Sequence, residues 1–270
     1  MRKGIVVRDA AELPRFLRKV RRCGFEANRV DVGRLESWER SFPSVTFVPR
    51  MDVVESFRRQ KEADELAALR RARRITKIIL QRVPSALYPG VRERDLARTM
   101  KVWALELGAD DLSFDPIVAF GSNTSSPHHV PTLRALRRGH LVQIDVGARV
   151  DGYCGDMSAV YCTGTLTAEQ RRVLAVLKSV QRRAMHAAHA GVTTHALDRL
   201  ARDLLREKGI EEAFCHSLGH GVGLEIHEGV TLSQKRKEEQ LLRNEVITIE
   251  PGVYFPGKWG MRVEDMVFVR

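Results

Sequence analysis

Residues 141–162 read LVQIDVGARVDGYCGDMSAVYC, and residues 246–264 read VITIEPGVYFPGKWGMRVE. Each stretch starts as an apolar run, passes through glycine-containing turn residues and returns through further apolar residues, a pattern typical of a β-hairpin. Residues at equal distances from the turn face each other in such a pair. We therefore expect the carboxylates inside the apolar runs to lie opposed in two pairs, Asp145 with Asp156 and Glu250 with Glu264.

These four carboxylates predict a metal site. Opposed residues on one sheet face have Cβ atoms about 5 Å apart, so like charges repel, and burial of an unpaired charge is costly. Multivalent cations remove both problems. Four carboxylates carry four negative charges, which two divalent ions would balance, so a two-metal site is favoured over a single ion. One alternative stays open, in which Asp151 or Asp265 is the inward residue in place of Asp156 or Glu264.

Histidine is the second candidate ligand type. His220 lies between Gly219 and Gly221, and these glycines would let the backbone come close to a ligand or metal. His227 follows in a strand-like stretch, and His128 lies in a loop before the first hairpin. A structural role is the better interpretation of His140, His186, His189 and His195, and it is favoured for the undecided His129 and His216.

Two helical patterns precede each hairpin. They are predicted over 56–82, 93–107, 167–191 and 194–208. Pro84 is expected to end the first helix, and Thr167 with Gln170 forms a capping box for the third. The repeated order of helix, helix, hairpin predicts an α+β fold with helices on one face of an antiparallel sheet and an internal duplication.

Composition limits the other function classes. The net charge of +11 and pI of about 9.9 allow a nucleic-acid interface, but no helix-turn-helix, finger or aromatic-basic interleaving accompanies it, so nucleic-acid binding is not favoured. No apolar run approaches the roughly 18–20 residues of a membrane span, and the apolar run near the N-terminus is too short for a signal peptide. We therefore expect a soluble cytoplasmic protein that does not bind membranes.

The hairpin carboxylates, together with Gly219-His220-Gly221-Val222-Gly223 and Ile226-His227-Glu228, resemble the pita-bread metallopeptidases, which include methionine aminopeptidase, Xaa-Pro aminopeptidase, prolidase and creatinase. The resemblance implies the pita-bread fold, a curved antiparallel sheet with pseudo-two-fold symmetry. It places a partial N-terminal domain or remnant at 1–50 and the catalytic domain at 51–270. It also implies a dinuclear site with Asp145, Asp156, His220, Glu250 and Glu264 as ligands.

The same resemblance implies roles for three side chains. Glu250 would also shuttle a proton, His227 would contact the substrate carbonyl, and His128 matches the loop histidine near the scissile peptide, with His129 as its neighbour. Two divalent ions would lower the pKa of water toward about 7. The oxygen-rich ligand set suits manganese first, with cobalt, zinc or iron as alternatives.

Within the family, Phe25-Glu26-Ala27-Asn28-Arg29 and Glu225 resemble the Xaa-Pro aminopeptidase and prolidase branch. The implied activity is hydrolysis of the Xaa-Pro bond at peptide N-termini or in dipeptides, on a substrate with proline at its second position. The branch allows a homodimer. Two alternatives stay open, a methionine aminopeptidase-type enzyme and a non-catalytic pita-bread binding module.

Overall fold

The computed structural model describes residues 12–270, and the chain divides into two compact units between Phe57 and Arg58. The prediction that a signal peptide is absent concerns the first nine residues, which lie outside the described part. Among residues 12–270, no helix combines the length and the apolar character that crossing a bilayer requires. The predicted boundary near residue 50 stays a prediction.

The first unit contains a short β-α-β arrangement. Its elements are α1 Leu13–Leu17, β1 Arg22–Glu26, α2 Val32–Ser41, β2 Thr46–Arg50 and the start of α3 Val53–Arg58. Strands β1 and β2 pair in parallel. Asp31 caps α2 by accepting a hydrogen bond from the Arg34 amide at 2.8 Å. One helix thus connects two parallel strands in this unit.

The second unit has four long helices: α4 Ala63–Ala86, α5 Glu93–Glu106, α6 Ala168–Ala187 and α7 Thr194–Arg206. The capping box predicted at Thr167 and Gln170 is confirmed by both reciprocal hydrogen bonds. The predicted start of the first of these helices, near residue 56, is wrong. The chain leaves helical geometry before Lys61, whose amide donates to Asn244 O at 3.1 Å instead.

The predicted end of α4 is also wrong, because the helix continues through Pro84 to Ala86. A proline inside a helix has no amide hydrogen, so the carbonyl four residues earlier loses its partner. Here that carbonyl belongs to Leu80, and the Tyr161 hydroxyl donates to it at 2.7 Å. A tertiary hydrogen bond thus replaces the missing helical one.

Short antiparallel strands accompany these helices in the second unit. They are β3 Asp111–Leu112, β4 Ile117–Phe120, β5 Leu141–Val146, β6 Ala148–Val150, β7 Tyr153–Cys154, β8 Met157–Cys162, β9 Gly219–His220, β10 Thr231–Leu232, β11 Val246–Ile249, β12 Gly252–Phe255, β13 Trp259–Arg262 and β14 Asp265–Phe268. Strand β5 lies between β4 and β8, and β11 pairs with β14. The predicted α+β order of helix, helix and hairpin, repeated once, is confirmed.

The two hairpins differ in register. Asp151 and Gly152 form the first turn with φ of 50° and 79°, the two positive values of a type I′ turn. That turn sets Asp145 opposite Ser158, so the expectation that Asp145 directly faces Asp156 is wrong; Asp156 lies two positions along, a diagonal neighbour. In the second hairpin the last pair of the β11–β14 ladder is Ile249 with Asp265. Glu250 and Glu264 are the next residues toward the turn on the two strands.

Two hydrophobic clusters hold the helices against the strands. One packs α4 and α5 on β4 and β5 and includes Ile79 and Ile144, both fully buried. The other packs α6 and α7 on β11 and includes Leu177 and Ile249. Each such side chain contributes about 1.5–3 kcal/mol relative to an exposed position. The two cores fix the strands that carry the carboxylates.

Candidate metal centre

Five strands and strand ends bring the predicted ligands together. Asp145 lies in β5, Asp156 precedes β8, His220 lies in β9, Glu250 follows β11, and Glu264 lies between β13 and β14. Among residues 12–270, ligand atoms of Asp156, His220 and Glu264 all lie within 4.8 Å of one another. Three elements distant in sequence thus meet at one buried point.

The other two predicted ligands border this group. His220 Nε2 lies 3.5 Å from Asp156 Oδ2 and 3.5 Å from Glu250 Oε1. The charge of Asp145 contributes to the raised pKa of Asp156, after burial itself. The structure therefore brings all five side chains into one cluster. Asp151 pairs instead with Arg71, and Asp265 pairs with Arg73. Neither of them therefore takes the inward position that the open alternative gave to it.

Negative charge is costly in this cluster unless a cation is present. Burial, and then repulsion from neighbouring carboxylates, raises the pKa of Asp156 and of Glu264 well above the ordinary range. Burial also raises the pKa of Glu250, in spite of His220. Groups of like charge held this close and this dry are the arrangement that a bound divalent cation stabilises.

One buried atom tests the fit of a metal directly. Asp145 Oδ2 accepts a hydrogen bond from Arg262 Nη2, whereas Asp145 Oδ1 is buried with no hydrogen-bond partner. Buried polar atoms without partners are rare and call for an explanation, and a cation supplies one. Carboxylate oxygens with one imidazole nitrogen form a donor set that suits divalent transition metals. The residues present therefore fit a metal centre.

The orientation of His220 is fixed by its neighbours. Its Nδ1 lies 3.1 Å from Gly221 O, which accepts a hydrogen bond from the Nδ1–H group and leaves Nε2 for the cluster. A Cβ at Gly219 would lie 2.0 Å from Thr248 O, and one at Gly221 would lie 2.1 Å from Glu228 O. These glycines therefore admit neighbouring backbone, and the expectation that they admit a ligand is corrected.

Two further predicted histidines lie on loops beside the cluster. The His227 ring is 4.1 Å from that of His220, centroid to centroid. The strand expected around His227 is absent, because this residue lies in a bend between β9 and β10. Burial, with the neighbouring His220 and His128, lowers the pKa of His227 to about 4. His128 is exposed and also adds to the lowered pKa of His216, where burial is the main cause.

Sequence reasoning gave no role to Arg262, yet this residue joins much of the site. Its side chain is buried and donates to Asp145, to Ser158 Oγ at 3.0 Å and to Tyr254 OH at 2.6 Å. Burial alone would lower its pKa, but Tyr254 and the carboxylates raise it, so the guanidinium stays charged. The available signal was an arginine at the end of an otherwise apolar strand.

His216 and His129 also have defined partners. His216 Nε2 lies 3.2 Å from Tyr254 OH, and burial lowers the pKa of His216 to about 3. His129 turns inward, with Nε2 2.8 Å from Glu93 Oε2. By contrast, His195 bonds to Arg236 O at 2.8 Å, which agrees with the structural role predicted for it.

Comparison with known proteins agrees with this geometry. A model of metallopeptidase family M24 matches residues 67–270. The Xaa-Pro dipeptidase of Pyrococcus furiosus is 33% identical over 258 residues, covering 96% of this chain and 74% of the relative. Among solved structures, an X-Pro aminopeptidase from Thermotoga maritima is 33% identical with a TM-score of 0.89, covering 95% of this chain and 73% of the other. An Xaa-Pro dipeptidase from Bacillus anthracis is 30% identical with a TM-score of 0.92, with coverages of 96% and 73%.

Proposed function

Because the chain belongs to metallopeptidase family M24 and has its pita-bread fold, we propose that it hydrolyses the bond before proline, in Xaa-Pro dipeptides or at peptide N-termini. The observation that carries this proposal is the meeting of Asp156, His220 and Glu264 beside two further carboxylates, one of which has an unpartnered buried oxygen. Relatives named Xaa-Pro dipeptidase support the substrate class.

The proposed ligands are Asp145, Asp156, His220, Glu250 and Glu264. Divalent cations bound there would polarise a peptide carbonyl and lower the pKa of a bound water toward about 7. Arg262 holds Asp145 by a charged hydrogen bond, which leaves Asp145 Oδ1 for a cation. Manganese as the native metal, a cytoplasmic location and a homodimer remain predictions.

Three side chains act on the proposed substrate. His227 is neutral at pH 7 because its pKa is about 4, so one ring nitrogen donates a hydrogen bond to the scissile carbonyl. His128 contacts the peptide from the loop before the first hairpin. Glu250, whose pKa is raised by burial, takes a proton from water and passes it to the leaving nitrogen. That proton is needed because the nitrogen must leave as a neutral amine, and the proline nitrogen, which carries no hydrogen in the peptide bond, then becomes a secondary amine.

The test is turnover of Ala-Pro, of a longer Ala-Pro peptide and of Met-Ala by chelator-treated protein, resupplied with manganese, cobalt, zinc or iron in turn. We expect metal-dependent cleavage of the Ala-Pro bond and little cleavage of Met-Ala. Preferential cleavage of Met-Ala would favour the methionine aminopeptidase alternative. Unchanged Ala-Pro turnover in metal-free protein would refute the proposed chemistry.

A matched pair of substitutions in one hairpin checks the site. Asp145→Asn removes a buried ligand candidate, and Asp151→Asn makes the same change at the exposed turn. We expect the first to lower kcat/KM by more than about 100-fold, the scale for losing a group that stabilises the transition state. The second should stay within about 2-fold, as is usual for substitutions away from such features.

A further inference from the structure

A second buried carboxylate system lies outside the metal cluster, at the start of α5. Glu93 is fully buried and accepts five hydrogen bonds. Oε1 accepts from the Phe120 amide and Asn123 Nδ2, both at 2.8 Å. Oε2 accepts from His129 Nε2 at 2.8 Å and from the Thr132 amide and hydroxyl at 2.9 and 2.6 Å. The proposed reaction makes no use of this residue.

Glu93 is ionised in spite of its burial. Burial alone would raise its pKa, but hydrogen bonds from Thr132 and His129, with the backbone amides of Thr132 and Phe120, lower it below the ordinary value. An ionised carboxylate accepts hydrogen bonds and donates none. The Nε2 atom of His129 that faces Glu93 therefore carries a hydrogen and donates a hydrogen bond to Oε2.

All five donors belong to the segment that carries His128. We define residues 120–132 as the histidine loop. Phe120 and Asn123 lie at its start, and His129 and Thr132 lie at its end, so Glu93 joins the two ends. The middle of the loop is held by residues of β13, the strand next to the metal cluster.

Two contacts fix that middle part. Arg262 Nη1 donates to Pro127 O at 3.2 Å, and the Gly260 amide donates to Thr124 Oγ1 at 3.0 Å. Arg262 is the same residue that holds Asp145. The histidine loop is therefore fixed at both ends by Glu93 and at its middle by the strand next to the metal cluster.

Adjacent side chains of the loop point in opposite senses. His129 is turned inward to Glu93 with its side chain 12% exposed, whereas His128 is exposed. Fixing the His129 ring thus fixes the backbone from which His128 projects. We propose that Glu93 and His129 are positioning residues that hold His128 in its place beside the substrate. This inference rests on the proposed function, because His128 contacts the peptide only in that reaction.

The test is a double-mutant cycle between the two histidines in the metal-loaded protein. His129→Ala should lower kcat/KM for Ala-Pro by about 10- to 100-fold, the scale of misplacing a reacting group by about 1 Å. His129→Gln should recover most of that loss, because its amide can donate to Glu93. The His128→Ala/His129→Ala double variant should be no worse than His128→Ala alone, since the second change acts only through the first residue. His186→Ala, on the exposed face of α6, is the control.

A second measurement does not depend on activity. Amide hydrogen exchange in the histidine loop should rise in His129→Ala, return toward wild type in His129→Gln and stay unchanged in β5. Losses that multiply in the double variant, equal effects of the Ala and Gln variants, or unchanged loop exchange would each overturn the positioning role. If His129→Ala fails to fold, Glu93→Gln with the same two measurements replaces it. A failure of the proposed function can be recognised separately. Wild-type protein would then show no Xaa-Pro turnover, whereas hydrogen exchange in the histidine loop would still test the positioning role.

Discussion

The sharpest stability prediction concerns Lys61. Its Nζ lies 2.9 Å from Glu228 Oε1, and both side chains are 2% exposed. Arg58 contacts the other oxygen, so two cations hold one buried carboxylate. Lys61→Met keeps the aliphatic chain but removes one of these charges. Loss of one partner from a buried pair costs about 3–5 kcal/mol, and because Arg58 remains we expect the lower end, about 3 kcal/mol.

The assay is denaturant and thermal unfolding of chelator-treated protein, so that metal binding does not mask the change. About 3 kcal/mol corresponds to roughly 6–12 °C in Tm for a domain of this size. In a Glu228→Gln background the same Lys61→Met change should cost less than about 1 kcal/mol, because no buried charge is then left unpaired.

The control for this prediction is another lysine pair. Lys101 Nζ lies 2.9 Å from Asp111 Oδ1, the same separation, but these side chains are 53% and 36% exposed. Lys101→Met should leave the unfolding midpoint almost unchanged, because solvent-exposed ion pairs contribute little to stability. If Lys61→Met costs no more than Lys101→Met, burial does not govern the strength of these pairs and the reasoning fails.

Two further predictions follow from the site and from Glu93. A divalent metal at 100 times its Kd should stabilise the protein by about 2.7 kcal/mol, raising Tm by roughly 5–11 °C; calorimetry should show most of this rise lost in Asp145→Asn and kept in Asp151→Asn. Because the folded pKa of Glu93 lies below its ordinary 4.5, its contribution is complete above pH 4.5 and is lost as the pH falls. Glu93→Gln should therefore flatten the acid limb of the stability curve below pH 4.5, and equal slopes in the two proteins would contradict this.

The sequence predicted the elements whose signals are local. The hairpin of residues 141–162 follows from apolar runs around Asp151-Gly152, and the capping box at Thr167 and Gln170 follows from side chains three residues apart. The five proposed ligands came from charges inside apolar strands and from the family resemblance. Each of these signals lies within one short segment of chain.

Features that depend on distant partners could not be predicted in this way. The helix passes Pro84 because Tyr161, far along the chain, donates to the freed carbonyl of Leu80. Asp145 faces Ser158 because the turn occupies two residues with positive φ, which shifts the register from the expected midpoint. The role of Arg262 is visible only when β13 lies beside β5, where one side chain meets both hairpins.

The metal ligands and the substrate-side histidines are held by different means. Asp145 and His220 lie in strands, whose backbone ladders fix them. His128 and His227 lie in loops, and each is followed by a residue turned inward to a buried charge: His129 to Glu93, and Glu228 to Lys61 and Arg58. A loop without ladder bonds needs such side-chain anchors to keep one conformation. Removal of either anchor should therefore lower turnover, because His128 or His227 is displaced while the metal ligands keep their geometry.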